Sequence, residues 1–291
     1  MKAFVTGATG FIGRHLVGRL DAAGYAVHAL LRRGSDASRL PAAITAHREP
    51  PALDALLATI RPDVVLHLAT EYRHGHDHAA IAPMLAANVT LGTMLADAAA
   101  RAGVGGFVTL GTAAQHAGPG GDAPATLYAA SKQAFEVLLG AIARAAGLPT
   151  ATLLVFETFG PGDTRGKILD RMIAAAMTGA PLDLSPGEQA IDLVHVDDVV
   201  GAIVLAAEGL AAGTLPAGGR FALSSGTAVT LRDLAGRIEA TLGRPLPARW
   251  GALPYRAGEI MQPWRGGAAL PGWHPRLSLD AFLAAARDRV A

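Results

Sequence analysis

The sequence predicts an α/β fold built on a doubly wound parallel sheet with a smaller C-terminal α/β lobe, and three observations predict it. Short apolar runs of strand length alternate with longer amphipathic runs through the first half of the chain. The first of these, Lys2 to Thr6, leads directly into a glycine triplet and then a helical pattern. A later run, Val64-Val65-Leu66-His67-Leu68-Ala69, is apolar along most of its length, as a parallel strand covered on both faces must be.

The glycine triplet is Gly7-Ala8-Thr9-Gly10-Phe11-Ile12-Gly13, followed by an amphipathic run from Arg14 to Ala23. A strand that passes through glycines into a helix leaves backbone N–H groups and the positive end of the helix dipole facing one point, where a pyrophosphate can rest. Gly7, Gly10, Phe11, Ile12 and Gly13 are therefore candidate cofactor-binding residues. The spacing is G-x-x-G-x-x-G, one residue longer before the second glycine than the G-x-G-x-x-G of ordinary dinucleotide folds. Glycine-rich turns also serve plain strand-to-helix junctions, and the placement between a strand and a helix favours the phosphate loop.

Ala26 to Leu31 is the second strand, and its end is where a Rossmann-type fold reads the adenosine ribose. A carboxylate there accepts hydrogen bonds from a free 2′-hydroxyl, whereas arginines pair with a 2′-phosphate. This chain has Leu31-Arg32-Arg33-Gly34-Ser35. Arg32 and Arg33 predict NADP(H) over NAD(H), the alternative being that they only solubilise a loop.

Ile44 to Arg48 and Asp63 to Ala69 are the third and fourth strands, with a helix from Ala52 to Ile60 between them. Leu68 and Ala69 close the fourth strand beside the expected cofactor. The next loop, Glu71-Tyr72-Arg73-His74-Gly75-His76-Asp77-His78, could ligate zinc, but three histidines at alternate positions in a polar loop read better as a lid over nicotinamide or substrate. No metal is expected. Asn88 opens or lines a long helix to Ala102, either as its cap or as a polar contact near the cofactor.

Gly106 to Gly111 is the fifth strand, and Thr112 emerges at its carboxyl end, where a hydroxyl points into a ligand crevice. Within a helix from Pro124 to Ala146 lies Tyr128-Ala129-Ala130-Ser131-Lys132. The i,i+4 spacing puts the phenol and the ammonium on one helical face, so the ammonium can favour the ionised phenol in a proton-transfer pair.

The rest of the composition narrows the partners. Half of the 291 residues are hydrophobic, and the formal net charge is +1 without long runs of either sign. A nucleic-acid or membrane-surface footprint is not expected, and small molecules are. No uninterrupted apolar run reaches membrane-spanning length and the first strand starts at the N-terminus, which predicts a cytoplasmic protein. There is no cysteine, so disulfide and thiolate chemistry are excluded. Lysine occurs only at Lys2, Lys132 and Lys167.

Together the Thr6 to Gly13 run, the Leu66-His67-Leu68-Ala69 segment, Thr112, and Tyr128 with Lys132 resemble the extended short-chain dehydrogenase/reductase family, the branch acting mainly on nucleotide sugars. Phe159-Gly160-Pro161-Gly162-Asp163, Val194-His195-Val196-Asp197-Asp198-Val199 and Pro254-Tyr255-Arg256-Ala257-Gly258-Glu259 extend the resemblance towards the C-terminus. It implies a dinucleotide-binding domain over 1–157, with a segment around 191–210 returning to it, and a mainly substrate-binding lobe over 158–291. It implies further that Tyr128 is the general acid/base, that Lys132 lowers the tyrosine's pKa and holds the nicotinamide ribose, and that Thr112 orients the reacting oxygen. Phe156 is placed by it beside the cofactor. Relatives often dimerise through helices equivalent to Pro83 to Ala102 and Pro124 to Ala146, so a homodimer is expected, although small alanine faces suit burial inside one chain equally.

Two departures choose among the family's reactions. Ala113-Ala114 stands where similar dehydratases carry an acidic pair, which argues against elimination of water. Glu157 stands where many relatives have an asparagine facing the substrate, so either sugar hydroxyls reach it or a basic neighbour, Arg165 or Lys167, compensates the charge. The stretch from Leu184 to Asp192 resembles the nucleotide-activated 4-keto-deoxyhexose reductases. The expected reaction is NADPH-dependent reduction of the C4 ketone of such a sugar, with Glu157, Lys167 and Arg256 as substrate contacts. The alternatives are a nucleotide-sugar 4-epimerase with tightly held NAD and a non-catalytic NADP(H) sensor.

Overall fold

The computed structural model describes residues 1–48, 52–72, 78–118 and 123–288. Seven parallel strands form the main sheet: β1 (Lys2–Thr6), β2 (Ala26–Leu31), β3 (Thr45–Arg48), β4 (Val64–His67), β5 (Gly106–Thr112), β6 (Thr150–Val155) and β10 (Gly219–Leu223). Their order is β10-β6-β5-β4-β1-β2-β3, so the chain reverses direction across the sheet between β1 and β4, the switch point at which open α/β sheets bind ligands.

Helices cover both faces. On one, α1 (Phe11–Ala22) and α7 (Val196–Ala211) pack together over a core of Val5, Leu16, Leu66, Val108, Leu153 and Ile203. On the other lie α2 (Leu53–Ile60), α4 (Leu91–Arg101) and α5 (Leu127–Ala146), around Phe4, Phe107, Phe135 and Leu139. All six residues of β6 and all four of β4 are buried, which is why these strands read as runs of apolar residues and threonine interrupted only by His67.

After β6 the chain builds the smaller lobe. It has β7 (Glu157–Phe159) and β9 (Ala190–His195) in a three-stranded sheet with β11 (Ala228–Thr230), and β8 (Leu182–Leu184) paired with β12 (Ala248–Trp250). Helices α6 (Ile168–Thr178), α8 (Leu231–Leu242) and α9 (Leu279–Asp288) enclose a second core around Met172, Leu234 and Ile238. Between the two lobes the chain crosses back, because α7 packs on the main sheet and β10 joins its edge.

Several boundaries differ from those expected. The first helix begins at Phe11 rather than Arg14, since Gly10 already serves as its extended N-cap. The Tyr128 helix begins at Leu127, not Pro124, because the Thr126 side chain caps it by accepting a hydrogen bond from the Ala129 N–H. Asn88 does not cap a helix. α3 (His78–Leu85), a π-helical turn (Ala86–Thr90) and α4 run on without a break, and Asn88 sits fully buried in the π turn. This run from His78 to Arg101, though interrupted by Asn88, Thr90, Thr93 and Asp97, is long and apolar enough by composition to cross a membrane, yet its Ala96, Ala98 and Ala99 are packed into the core beside α2 and α5. Residues 73–77 of the histidine-bearing loop, with His74 and His76, lie outside the described residues, as does Val290, the expected end of the last helix.

Candidate active site

The phosphate loop has the geometry its glycines permit. Gly7 takes a left-handed φ of +73°, and a Cβ there would lie 2.7 Å from the Ala69 nitrogen and the Leu68 carbonyl carbon. A Cβ on Gly13 would run into the Gly7 carbonyl oxygen. No side chain caps the N-terminus of α1 and no acidic residue lies in its first turn, so its N–H groups face the crevice without a competing carboxylate. This cradle fits a dinucleotide pyrophosphate.

From this loop a cleft of about 750 Å³ runs between the lobes. Gly7, Phe11, Ile12, Gly13, Leu68, Thr112, Tyr128, Lys132, Phe156, Glu157 and Lys167 all line it. Eleven residues singled out in the sequence thus converge from β1, β4, β5, β6, β7 and the helices between them. Of the others, Ala69 borders Gly7, and Arg256 is an exposed residue outside the cleft lining, near enough to act electrostatically on Tyr72.

Inside the cleft the charges depart from the simple tyrosine–lysine picture. Burial pushes the Tyr128 phenol up to about 12, a hydrogen bond with Thr70 works the other way, and Tyr72 and Glu157 add to the rise. The Tyr72 ring meets the Tyr128 ring edge-on at 4.9 Å. Lys132 lies one helical turn along α5 from the phenol. Lys132 as a residue is 4% exposed, and burial lowers its ammonium to about 8 while Glu136 opposes the drop. The phenol is therefore held in its protonated, proton-donating state.

Asn88 organises this arrangement. Its amide oxygen accepts from the Thr70 hydroxyl (2.9 Å) and the Glu71 N–H (2.7 Å), and its nitrogen donates to the Glu71 carbonyl (3.0 Å) and to Ser131 Oγ (2.9 Å). Ser131 in turn donates to the Tyr128 carbonyl at 2.7 Å. One buried amide with every hydrogen bond satisfied thus locks the β4 loop to the first turn of α5.

Glu157, the departure from the family's asparagine, is paired with Lys167 at 3.1 Å, and the Lys167 ammonium also lies 4.8 Å from the Tyr72 ring centre. Arg165, the other basic neighbour considered, is engaged with Asp163 and the Thr158 carbonyl and lies over the Phe11 ring. Arg165 and Tyr72, named from sequence as a possible counter-charge and as part of the lid loop, line the cleft, and so does Thr70, which was not singled out from sequence.

A recess of about 530 Å³ opens beyond β2, lined by Arg14, Arg32 and Arg39, with Thr9, Ser35 and Asp36 among them. Arg32 keeps 80% of its side chain exposed and reaches Glu71 at 3.3 Å. Arg33 is not among the lining residues, and Asp36, just past the Leu31 to Ser35 stretch, is one of them. Arg48 shapes the loop by donating to the carbonyls of Arg32, Arg33 and Ser35. Among the described residues no group of three or more acidic or histidine side chains gathers for a metal.

Residues 3–217 match the model of the NAD dependent epimerase/dehydratase family, and the chain belongs to that family. It is thus an enzyme of the extended short-chain dehydrogenase/reductase type, a family that works with NAD(P). Among curated relatives, a UDP-glucose 4-epimerase of Mycolicibacterium smegmatis is 30% identical over 98% of this chain and 96% of its own. A 3-diazoavenalumate denitrifying reductase of Streptomyces is 34% identical over 74% of this chain and 75% of its own. A CDP-abequose synthase of Salmonella muenchen is 24% identical over 96% of this chain and 94% of its own. Among solved structures, MoeE5 in complex with UDP-glucose and NAD superposes with a TM-score of 0.82 at 26% identity over the whole of both chains. A UDP-glucuronic acid 4-epimerase of Bacillus cereus shares the fold at a TM-score of 0.85 and 23% identity, over 100% of this chain and 99% of its own.

Proposed function

We propose that the protein reduces the C4 ketone of a nucleotide-activated 4-keto-6-deoxyhexose with NADPH, in the cytoplasm. The observation that carries this reading is the arginine-lined recess beyond β2, where Arg14, Arg32 and Arg39 surround the space that a 2′-phosphate would need. Residues 1–157 hold the dinucleotide and 158–291 close over the sugar nucleotide. The glycine loop cradles the pyrophosphate, and Lys132 and Phe156 hold the nicotinamide end. When bound, the reduced nicotinamide supplies the hydride.

Tyr128 provides the proton. A phenol held up to about 12 is protonated at neutral pH and donates to the carbonyl oxygen as charge builds on it. Thr112 Oγ1, at the mouth of β5, hydrogen-bonds the same oxygen and fixes its line to Tyr128. Lys132 then stabilises the phenolate left behind, which eases the departure of the proton. Glu157, neutralised by Lys167, accepts from sugar hydroxyls without leaving a bare carboxylate beside a diphosphate. Arg256 meets the nucleotide portion from the rim.

A homodimer is part of the proposal. Leu85, Met94, Val137 and Leu138 are large apolar side chains left exposed on α3, α4 and α5, the helices through which the family resemblance implies pairing. Sedimentation at micromolar concentration measures it.

A second reading, a 4-epimerase with retained NAD, is favoured by Asp36 in the recess, which can accept from a ribose diol, and by the epimerases among the relatives. The test is to incubate the purified protein with NADPH and dTDP- or CDP-4-keto-6-deoxyglucose and follow the reduced nicotinamide by absorbance. Stoichiometric oxidation supports the reductase. Cofactor that copurifies, together with interconversion of a UDP-hexose and no net oxidation, establishes the epimerase instead.

A further inference from the structure

We propose that Glu136 is a positioning residue: clamped between Gln115 and Arg220, it keeps the Lys132 ammonium charged and ties the Thr112 end of β5 to the helix that carries Tyr128. The inference rests on the roles given above to Lys132 and Thr112. Tyr128, Lys132 and Glu136 follow one another at four-residue steps along α5, so they share one flank of the helix.

The carboxylate of Glu136 is 15% exposed and every oxygen is occupied. Arg220, on β10 at the sheet edge, donates to it through Nε and Nη2, and the Gln115 amide nitrogen donates to Oε2 at 2.8 Å. The same Gln115 uses its oxygen to accept the Thr112 N–H at 2.8 Å. A single amide therefore bridges the backbone of the threonine to the carboxylate one turn beyond the lysine. Arg220 is steadied from the far side, where Nη2 donates to His116 Nε2 at 3.0 Å and the His116 ring stacks on Trp264 at 4.3 Å.

The charge balance gives Glu136 its effect. Apart from Tyr128 one turn back, the groups facing Lys132 are Glu136 on its own helix and, from β4, the His67 imidazole, which burial and the Lys132 charge hold down at about 3 and hence neutral. Glu136 is thus the anion that opposes the burial of Lys132. Arg220 offsets it only in part, because 44% of the Arg220 side chain is in solvent and screened, whereas the Glu136 carboxylate is shielded.

The test uses the fact that the chain has three lysines, Lys2, Lys132 and Lys167. In protein labelled with ¹³Cε-lysine, the Lys132 resonance, assigned by its loss in Lys132→Met, is titrated without cofactor. The wild-type midpoint is expected near 8. Glu136→Gln, which keeps the shape and removes the charge while turning one accepting oxygen into a donor, should lower it by roughly half a unit or more, and Arg220→Gln should raise it. Gln115→Ala, which cuts the Thr112 branch and removes one donor to Glu136 while the carboxylate charge and Arg220 remain, should move the midpoint less than Glu136→Gln does and lower kcat for ketone reduction. Unmoved midpoints in folded Glu136→Gln and Arg220→Gln overturn the proposal and leave Glu136 as a strut between α5 and β10. If Glu136→Gln does not fold, the direction of the Arg220→Gln shift decides. Should Lys132→Met keep full NADPH affinity and turnover, the assignment of the site itself fails, whatever the titrations show.

Discussion

Lys132 and Arg32 are both cations proposed to hold the cofactor, yet one is 4% exposed at the base of the cleft and the other keeps 80% of its side chain in solvent beyond β2. Around Lys132 the protein holds ionisable groups against their preference: the ammonium is lowered to about 8, the neighbouring phenol raised to about 12, and the His67 ring held neutral. In the Arg32 recess the charges stay hydrated and the backbone carbonyls, tied by Arg48, do the shaping. The difference teaches that the reacting end of the crevice carries an electrostatic cost of folding, whereas the cofactor-selecting end is a surface problem sensitive to salt.

The sharpest test of the reacting end is Tyr128→Phe. It removes the proton donor while leaving the cradle intact, so kcat should fall by roughly 10³-fold with NADPH affinity nearly unchanged, as read by fluorescence titration beside steady-state kinetics. An unaffected rate refutes the assigned role.

Lys132→Met should also remove turnover, but it should stabilise the fold. The folded pKa of about 8 lies below the ordinary 10.5, so the unfolded chain binds more protons between these values. Below pH 8 both states are protonated and the full cost is present, about 3 kcal/mol at most. The cost lifts as pH rises through 8 to 10.5. Urea unfolding should therefore find the variant more stable than wild type at pH 7 and the gap closing towards pH 10.5. A variant less stable at pH 7 would show that the ammonium is not paying a burial penalty.

At the open end, Arg32→Ala and Arg39→Ala should each weaken NADPH binding by roughly tenfold and leave NADH unchanged, with a shallower salt dependence. Equal loss for both cofactors would move the selection to Asp36 and favour the NAD reading.

The smallest effect is expected at Asp170, in the first turn of α6, whose carboxyl burial and Asp163 raise to about 6. Here the folded state binds the extra proton between the ordinary 3.8 and 6, so stability falls as pH rises through that window. Asp170→Asn should remove this slope and stabilise the protein at pH 7 by about 1 kcal/mol after solvent screening.

Much of the site was legible because its parts are local. The turn from β1 into α1 needs Gly7 and Gly13 within one tight loop, where a Cβ has no room, so its chemistry is written in consecutive residues. Tyr128 and Lys132 are joined by helical periodicity alone. Thr112 and Leu68 are placed by the rule that strand ends face the crevice. Nothing local announced Asn88 as a clamp. It acts through Thr70, 18 residues earlier, and Ser131, 43 later, and only the π turn aims it inward.

By itself, then, the sequence determined the order of strands and helices, the phosphate cradle and the Tyr128–Lys132 face, because each depends on contacts within a few residues. The tertiary structure alone decided that Lys167 rather than Arg165 neutralises Glu157, that Asp36 joins the arginines of the recess, and that Glu136 meets Gln115 across 21 residues and Arg220 across 84. It also decided that burial, Thr70 and Tyr72 bear on the Tyr128 phenol. These pairings follow from how the sheet brings β10 beside β6 and the small lobe over the cleft, and a side chain's charge state depends on which distant groups and how little water that closure leaves around it.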